Sequence, residues 1–153
     1  MKPFYHILTG ALFAFLFFLI FKISLIYAVI LFFSSFLFDF DHYLYYLFTK
    51  KDLSLKRASN WFLEYEKKAR KLSLKEKNKY KSPVVIFHGI EFWIPLFFLS
   101  LYFQFFFFIF LGFSLHLILD FMDLSNQNCP LLSKISQIYV YVTNKNKKSF
   151  KNI

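Results

Sequence analysis

Four apolar runs, at residues 3–21, 23–38, 83–103 and 105–122, limit what this chain can fold into more than any other feature. Between them they hold more uncharged surface than a 153-residue soluble domain could bury. With 58% of residues hydrophobic and 25% aromatic, composition leads to the same class, an integral membrane protein. The expected fold is therefore all-α, with four transmembrane helices, about 4–21, 23–40, 83–103 and 105–122, paired in two tight hairpins. Lys22 and Gln104 mark the two turns. The second run has 16 residues, which at helical rise gives roughly 24 Å against a hydrocarbon layer of roughly 30 Å. Its acidic end at Asp39 is therefore expected at the interface, or the bilayer must thin there. The 26 phenylalanines carry no functional direction, because Phe, Lys, Ile and Asn share A/T-rich codons and all are abundant. Lys2 before an apolar stretch imitates a signal peptide, but no small-residue cleavage site follows and a second span does.

Basic residues set the expected orientation. Lys2, twelve Lys and Arg between Lys50 and Lys81, and five Lys from Lys134 to Lys151 fall on one side of the crossing pattern, and only Lys22 falls on the other. The positive-inside rule then places both termini and the 50–81 connection in the cytoplasm. The same rule accounts for the net charge of +10, so no nucleic-acid partner is needed to explain it. Residues 1–132 are read as one membrane domain and 133–153 as a basic tail, with an apolar patch at Ile138 to Val142 and partial disorder expected after Thr143. Cys129 is the sole cysteine and is expected to be an inert thiol near the membrane surface. Within the 50–81 connection, Ala58, Trp61, Phe62, Tyr65, Ala69 and Leu72 recur at spacings of three and four. Arg57, Lys67, Lys68, Arg70 and Lys71 occupy the opposite positions, which predicts an amphipathic helix on the cytoplasmic leaflet. Such a helix either anchors to anionic lipid or covers a site as a lid.

The crossing count brings all four histidines to one face of the membrane. Span one begins just after His6, span two returns at Asp39, Asp41 and His42, span three leaves near His88 and Glu91, and span four returns at His116 and Asp120. Helical spacing agrees: Asp39 with His42 and His88 with Glu91 are i, i+3, while His116 with Asp120 is i, i+4 and Asp123 lies at i+7. Asp41 joins this face only if the helix ends near it. Imidazole mixed with carboxylate suits Zn²⁺, Mn²⁺ or Fe²⁺ and disfavours haem, and helix bundles build such sites from facing side chains. The candidate metal ligands are His6, Asp39, Asp41, His42, His88, Glu91, His116 and Asp120. Eight exceed the need of one tetrahedral zinc, so two ions, or one with a rich outer shell, are expected. Taken singly, each residue has a plainer reading: an interfacial anchor for His6, a helix cap for Asp39 to His42, and polar contacts for His88 with Glu91 and His116 with Asp120.

In the order and placement of these short motifs the chain resembles the YdjM-like family of membrane-bound, predicted metal-dependent hydrolases. The shared pattern is an N-terminal His (His6), a D-x-D-H segment (Asp39, Asp41, His42), a central His (His88) and a late H-x-x-x-D (His116, Asp120), over roughly residues 3–124. The centre departs from it. Where the family carries Arg-Gly and a further His, this chain reads His88-Gly89-Ile90-Glu91, with Glu91 as the candidate replacement. The late motif also looks like the helical zinc sites of bacterial phospholipase C and single-strand nucleases. The resemblance implies a hydrolase at the cytoplasmic face acting on a phosphoester or lipid head group, with Asp41 or Glu91 as general base. A non-catalytic scaffold with a polar or metal core is the alternative, and metal-ion or proton transport a weaker one. Oligomeric state is left open.

Overall fold

In the computed structural model, which describes residues 3–125 and 135–148, the chain is helical, and among these residues the only β pairing is one parallel bridge between Tyr80 and Lys148. The helices are α1 (Pro3–Phe21), α2 (Leu25–Ser34), α3 (Phe40–Lys50), α4 (Leu55–Lys71), α5 (Leu74–Lys77), α6 (Ile90–Tyr102), α7 (Gln104–Ser125) and α8 (Gln137–Asn144), with 3₁₀ turns at Leu37–Asp39 and Ile86–His88. Three helical stretches are long and apolar enough to cross a membrane: Phe4–Phe21, Leu25–Lys50 and Gln104–Asp123. The chain is thus built for membrane association.

Two departures from the expected spans have local causes. The second stretch does not end near Asp41 but runs on to Lys50, with a kink at residues 35–39 where the helix tightens to 3₁₀. Ser34 and Ser35 lie at this kink, and their hydroxyls bond back to Leu31 O at 3.0 Å and Phe32 O at 2.7 Å, a competition with the helical ladder that bends helices. The third run is not helical from Pro83. Residues 81–85 lie outside any helix, with Val85 extended, a 3₁₀ turn follows, and Gly89 is extended too (φ −97°, ψ 154°), so α6 keeps 13 residues. Those give about 20 Å, short of a hydrocarbon layer.

The chain divides into two compact units, Met1–Asp39 with Phe92–Asp123 and Phe40–Glu91 with Leu124–Ile153. The first holds the long apolar helices. Lys22, at φ 51°, turns α1 back along α2, and Ala14, Leu31 and Phe108 form a buried core flanked by Phe13, Phe17 and Tyr27. Gly10 faces Ser35 from α1, and Gly112 faces Ser34 and the Leu31 carbonyl from α7. A Cβ at Gly112 would lie 2.5 Å from the Leu31 oxygen, so glycine lets this helix seat on the backbone of α2. Tyr27 donates to Gln104 Oε1 at 3.1 Å and stacks on Phe108, which makes α2 and α7 parallel neighbours. On the other side of α7, Trp93 Nε1 donates to Ser114 Oγ at 3.3 Å, and Phe97 packs on Phe110, an antiparallel register for α6.

The second unit joins α3 and α4. Asp52 accepts from Arg57 Nε and Nη2 at 2.6 and 2.7 Å and from the Tyr46 hydroxyl at 2.6 Å. The guanidinium, then the phenol, hold its carboxyl well below the usual range. This corner sets Trp61 and Phe62 of α4 against Tyr45 and Tyr46 of α3, and Ala58 is buried, so the stripe expected to meet lipid is in its first half packed on protein. The tail is not uniformly irregular, since α8 occupies Gln137–Asn144 and Lys148 pairs with the 79–81 segment. Cys129, Lys134 and the residues after Lys148 lie outside the described residues.

Gly112→Ala should destabilise the first unit by about 1–3 kcal/mol, the cost of overpacking a close contact. Thermal unfolding in detergent reads this. Removing the Ser34 hydroxyl in the same chain should restore only part of it, because the Leu31 carbonyl cannot be trimmed.

Candidate metal centre

The packing just described places the histidines. His6 precedes Gly10 by one helical turn and His116 follows Gly112 by one, so the two close approaches to Ser34 and Ser35 carry both rings to the same level of α2. They stack with centroids 4.2 Å apart, and neither has any exposed surface. The 3₁₀ turn after the serines delivers Asp39 there, and Asp120 arrives one turn beyond His116.

Hydrogen bonding fixes one proton of His116. Its Nδ1 lies 2.9 Å from the Ser35 carbonyl oxygen, which can only accept, so Nδ1 carries the proton. In the neutral ring Nε2 is then a lone pair, and it faces Asp39 Oδ1 at 3.6 Å and Asp120 Oδ2 at 3.8 Å. His6 Nε2 stands 3.3 Å from Asp120 Oδ1 without the alignment of a hydrogen bond, and His6 Nδ1 has no hydrogen-bond partner among the described residues. A lone pair aimed at carboxylates is repulsive, and either a proton on Nε2 or a cation between the groups relieves it. Tetrahedral donors at roughly 2.1 Å from zinc are roughly 3.4 Å from one another, and the three observed separations bracket that value. One ligand atom each from His6, Asp39 and His116 also falls within 4.8 Å of the other two. This buried His and Asp cluster could hold a metal ion.

The second unit contains a different arrangement. Asp41, buried, accepts from the Phe87 N–H at 2.9 Å through Oδ2, which also lies 3.0 Å from His88 Nδ1, while Oδ1 lies 3.0 Å from His42 Nδ1. Facing a carboxylate, both Nδ1 atoms carry protons, and each neutral ring keeps its lone pair on Nε2. The rings stand perpendicular, 4.8 Å apart, with Phe62 of α4 edge-on to His42 at 5.2 Å. Asp41 thus orients two histidines, as carboxylates do behind metal-bound imidazoles. The ligand and general-base part expected of Asp41 is here accompanied by three hydrogen bonds, one at Oδ1 and two at Oδ2.

Glu91 is not brought to either group. It accepts from the Gln137 and Ile138 N–H groups, each at 3.1 Å, and from the Ser136 hydroxyl, so its carboxylate occupies the N-terminus of α8. A Cβ at Gly89 would meet Glu91 Oε2 at 2.2 Å, which explains the glycine beside His88. The replacement ligand expected at Glu91 is a helix clasp. What sequence reasoning missed is the Ser35 carbonyl, whose signal was present in the mirrored spacings His6-x-x-x-Gly10 and Gly112-x-x-x-His116.

Compared with family models, with curated proteins and with solved structures, the chain matches none.

Two substitutions separate these roles. Asp41→Asn leaves one amide oxygen where two carboxylate oxygens served three N–H groups, so one of His42 and His88 should pass to the Nε2–H tautomer, visible in ¹⁵N spectra of histidine-labelled protein. Where those rings bind metal, affinity should drop about 10–100-fold. Glu91→Gln should instead leave metal content unchanged and raise amide exchange in Gln137–Asn144, because only the clasp loses charge-assisted bonds.

Proposed function

We propose that this protein is a membrane-embedded, metal-dependent hydrolase acting at the cytoplasmic face on a phosphoester or lipid head group, with α6 as a fourth crossing and both termini in the cytoplasm. The observation that carries the proposal is the cluster of His6, Asp39 and His116, whose ligand atoms lie within 4.8 Å of one another, with Asp120 at 3.3 and 3.8 Å from the two fully buried imidazoles. Asp120 is buried beside the two histidines among apolar helices, and a divalent cation there would offset part of the cost of placing its charge in that setting. Zinc best fits this donor set, with manganese or iron as further candidates, and the Asp41-oriented pair offers ligands for a second ion.

A cation here would supply Lewis acidity toward a phosphoryl oxygen and would acidify water. His6, His116 and Asp120 would hold it from the buried side. The Asp39 side chain, at 26% exposed against 10% for Asp120, is the group positioned to take the proton from attacking water and return it to the departing alkoxide. The resemblance to YdjM-like hydrolases supports the same reading through its motif order alone.

Protein purified gently in detergent should carry at least one equivalent of zinc, manganese or iron, and should hydrolyse a substrate in a phosphodiesterase and phospholipase panel supplied with that metal. His116→Ala should lose both properties, whereas Asp39→Asn, which keeps an oxygen donor but is no longer a base, should keep most of the metal and lose at least about 100-fold in turnover. Substoichiometric metal would sink the reading. Full metal with no turnover on any substrate, and altered melting as the sole effect of Asp39→Asn, would favour a structural metal core.

A further inference from the structure

Helix α8 has two faces with opposite fates. Gln137, Val140 and Asn144, at spacings of three and four, look inward: Gln137 Oε1 accepts from the Val85 N–H at 2.9 Å, Val140 is buried, and Asn144 exchanges two hydrogen bonds with the Ser82 backbone. Glu91 fixes its first turn, and Lys148 pairs with the backbone of Lys79 and Lys81 beyond its last. The helix therefore cannot roll. Its other face is held outward, and there Ile138, Tyr141 and Val142 are 63, 62 and 54% exposed, with Tyr139 beside them at 44%. Lys145 continues this stripe one turn on, with its ammonium 5.6 Å from the Tyr141 ring. Lys147 and Lys148 follow, and residues 135–148 contain no acidic side chain.

We propose that α8 is a membrane-surface helix, which lays Ile138, Tyr141 and Val142 into the headgroup boundary of an anionic bilayer and sets Lys145, Lys147 and Lys148 against lipid phosphates. Each part has a physical warrant. An apolar face bordered by lysines with tyrosines at the boundary is the pattern of interfacial helices, since tyrosine keeps its ring in the acyl edge and its hydroxyl in water. Excess cationic charge is attracted to anionic lipid over a Debye length. A second copy of the same face would offer these lysines no counter-ion. The chain's long apolar helices already keep it at a bilayer, so docking involves little further loss of translational freedom. The inference is independent of any catalytic role.

Nitroxide labels at single cysteines replacing Ile138, Val142 and Asn146, each in a full-length Cys129→Ser chain, test it in nanodiscs of phosphatidylcholine with and without phosphatidylglycerol. With phosphatidylglycerol present, labels at 138 and 142 should collide more with oxygen than with a water-soluble chromium chelate, and the label at 146 should show the reverse. Replacing Lys145, Lys147 and Lys148 with Gln one after another should lower the ratio of docked to undocked label about fivefold at each step. Chelate access at 138 and 142 equal to that at 146 would overturn the proposal. So would shielding from both reagents with spin–spin broadening, which marks a second copy on this face. Oxygen preference that persists undiminished in pure phosphatidylcholine would overturn the assignment to anionic lipid.

Discussion

Three backbones meet at Ser34 and Ser35, and the rest of the first unit depends on that contact. Gly10 and Gly112 allow it, since any side chain at either would strike the serines. Apolar packing between helices in a membrane has no preferred register, because lipid tails are as apolar as leucine. Register must come from shape and from polar groups that lipid cannot satisfy. Here both sources coincide: glycine sets the distance, the serines bend α2, and the bend frees the Ser35 carbonyl for His116. A histidine whose Nδ1 is held by a backbone atom of another helix cannot slide by a turn without stranding a buried donor, at roughly 1–3 kcal/mol.

Much of this was legible in the sequence, in proportion to how local its cause was. The apolar runs announced helices in a membrane, and i, i+4 spacing put His116 and Asp120 on one side of one helix. The turn at Lys22 made His6 the opposite number of Asp39, since a hairpin pairs residues equidistant from its turn. The second unit was harder because its causes are distant in sequence. Glu91 looked like a ligand for want of any other visible partner, and that partner, the N-terminus of α8, lies 45 residues or more away. The same separation hid α8 within a basic tail, because eight residues with no long-range contact visible give little reason to expect a helix. The stripe on α4 was read correctly as one apolar face. Periodicity reports that a face is buried without saying whether protein or lipid covers it, and Tyr45 and Tyr46 cover part of this one.

What separates the roles of the carboxylates is the histidine nitrogen each one faces. Asp41 meets Nδ1 of both His42 and His88 at hydrogen-bond distance, while Asp39 and Asp120 meet Nε2 of His116 at 3.6 and 3.8 Å, beyond it. Nδ1 lies close to the backbone and is readily held by the protein, through a carboxylate in one unit and a carbonyl in the other. Nε2 is the far end of the ring, so pinning the near nitrogen settles both the tautomer and the direction of the remaining lone pair. Asp39 and Asp41 are separated by a single residue, yet a 3₁₀ turn closes at one and a helix opens at the other, and this change of pitch sends them to different nitrogens. In this D-x-D-H segment, backbone geometry turns identical residue types toward different histidine nitrogens, which is why composition and spacing alone treat the two aspartates as equivalent.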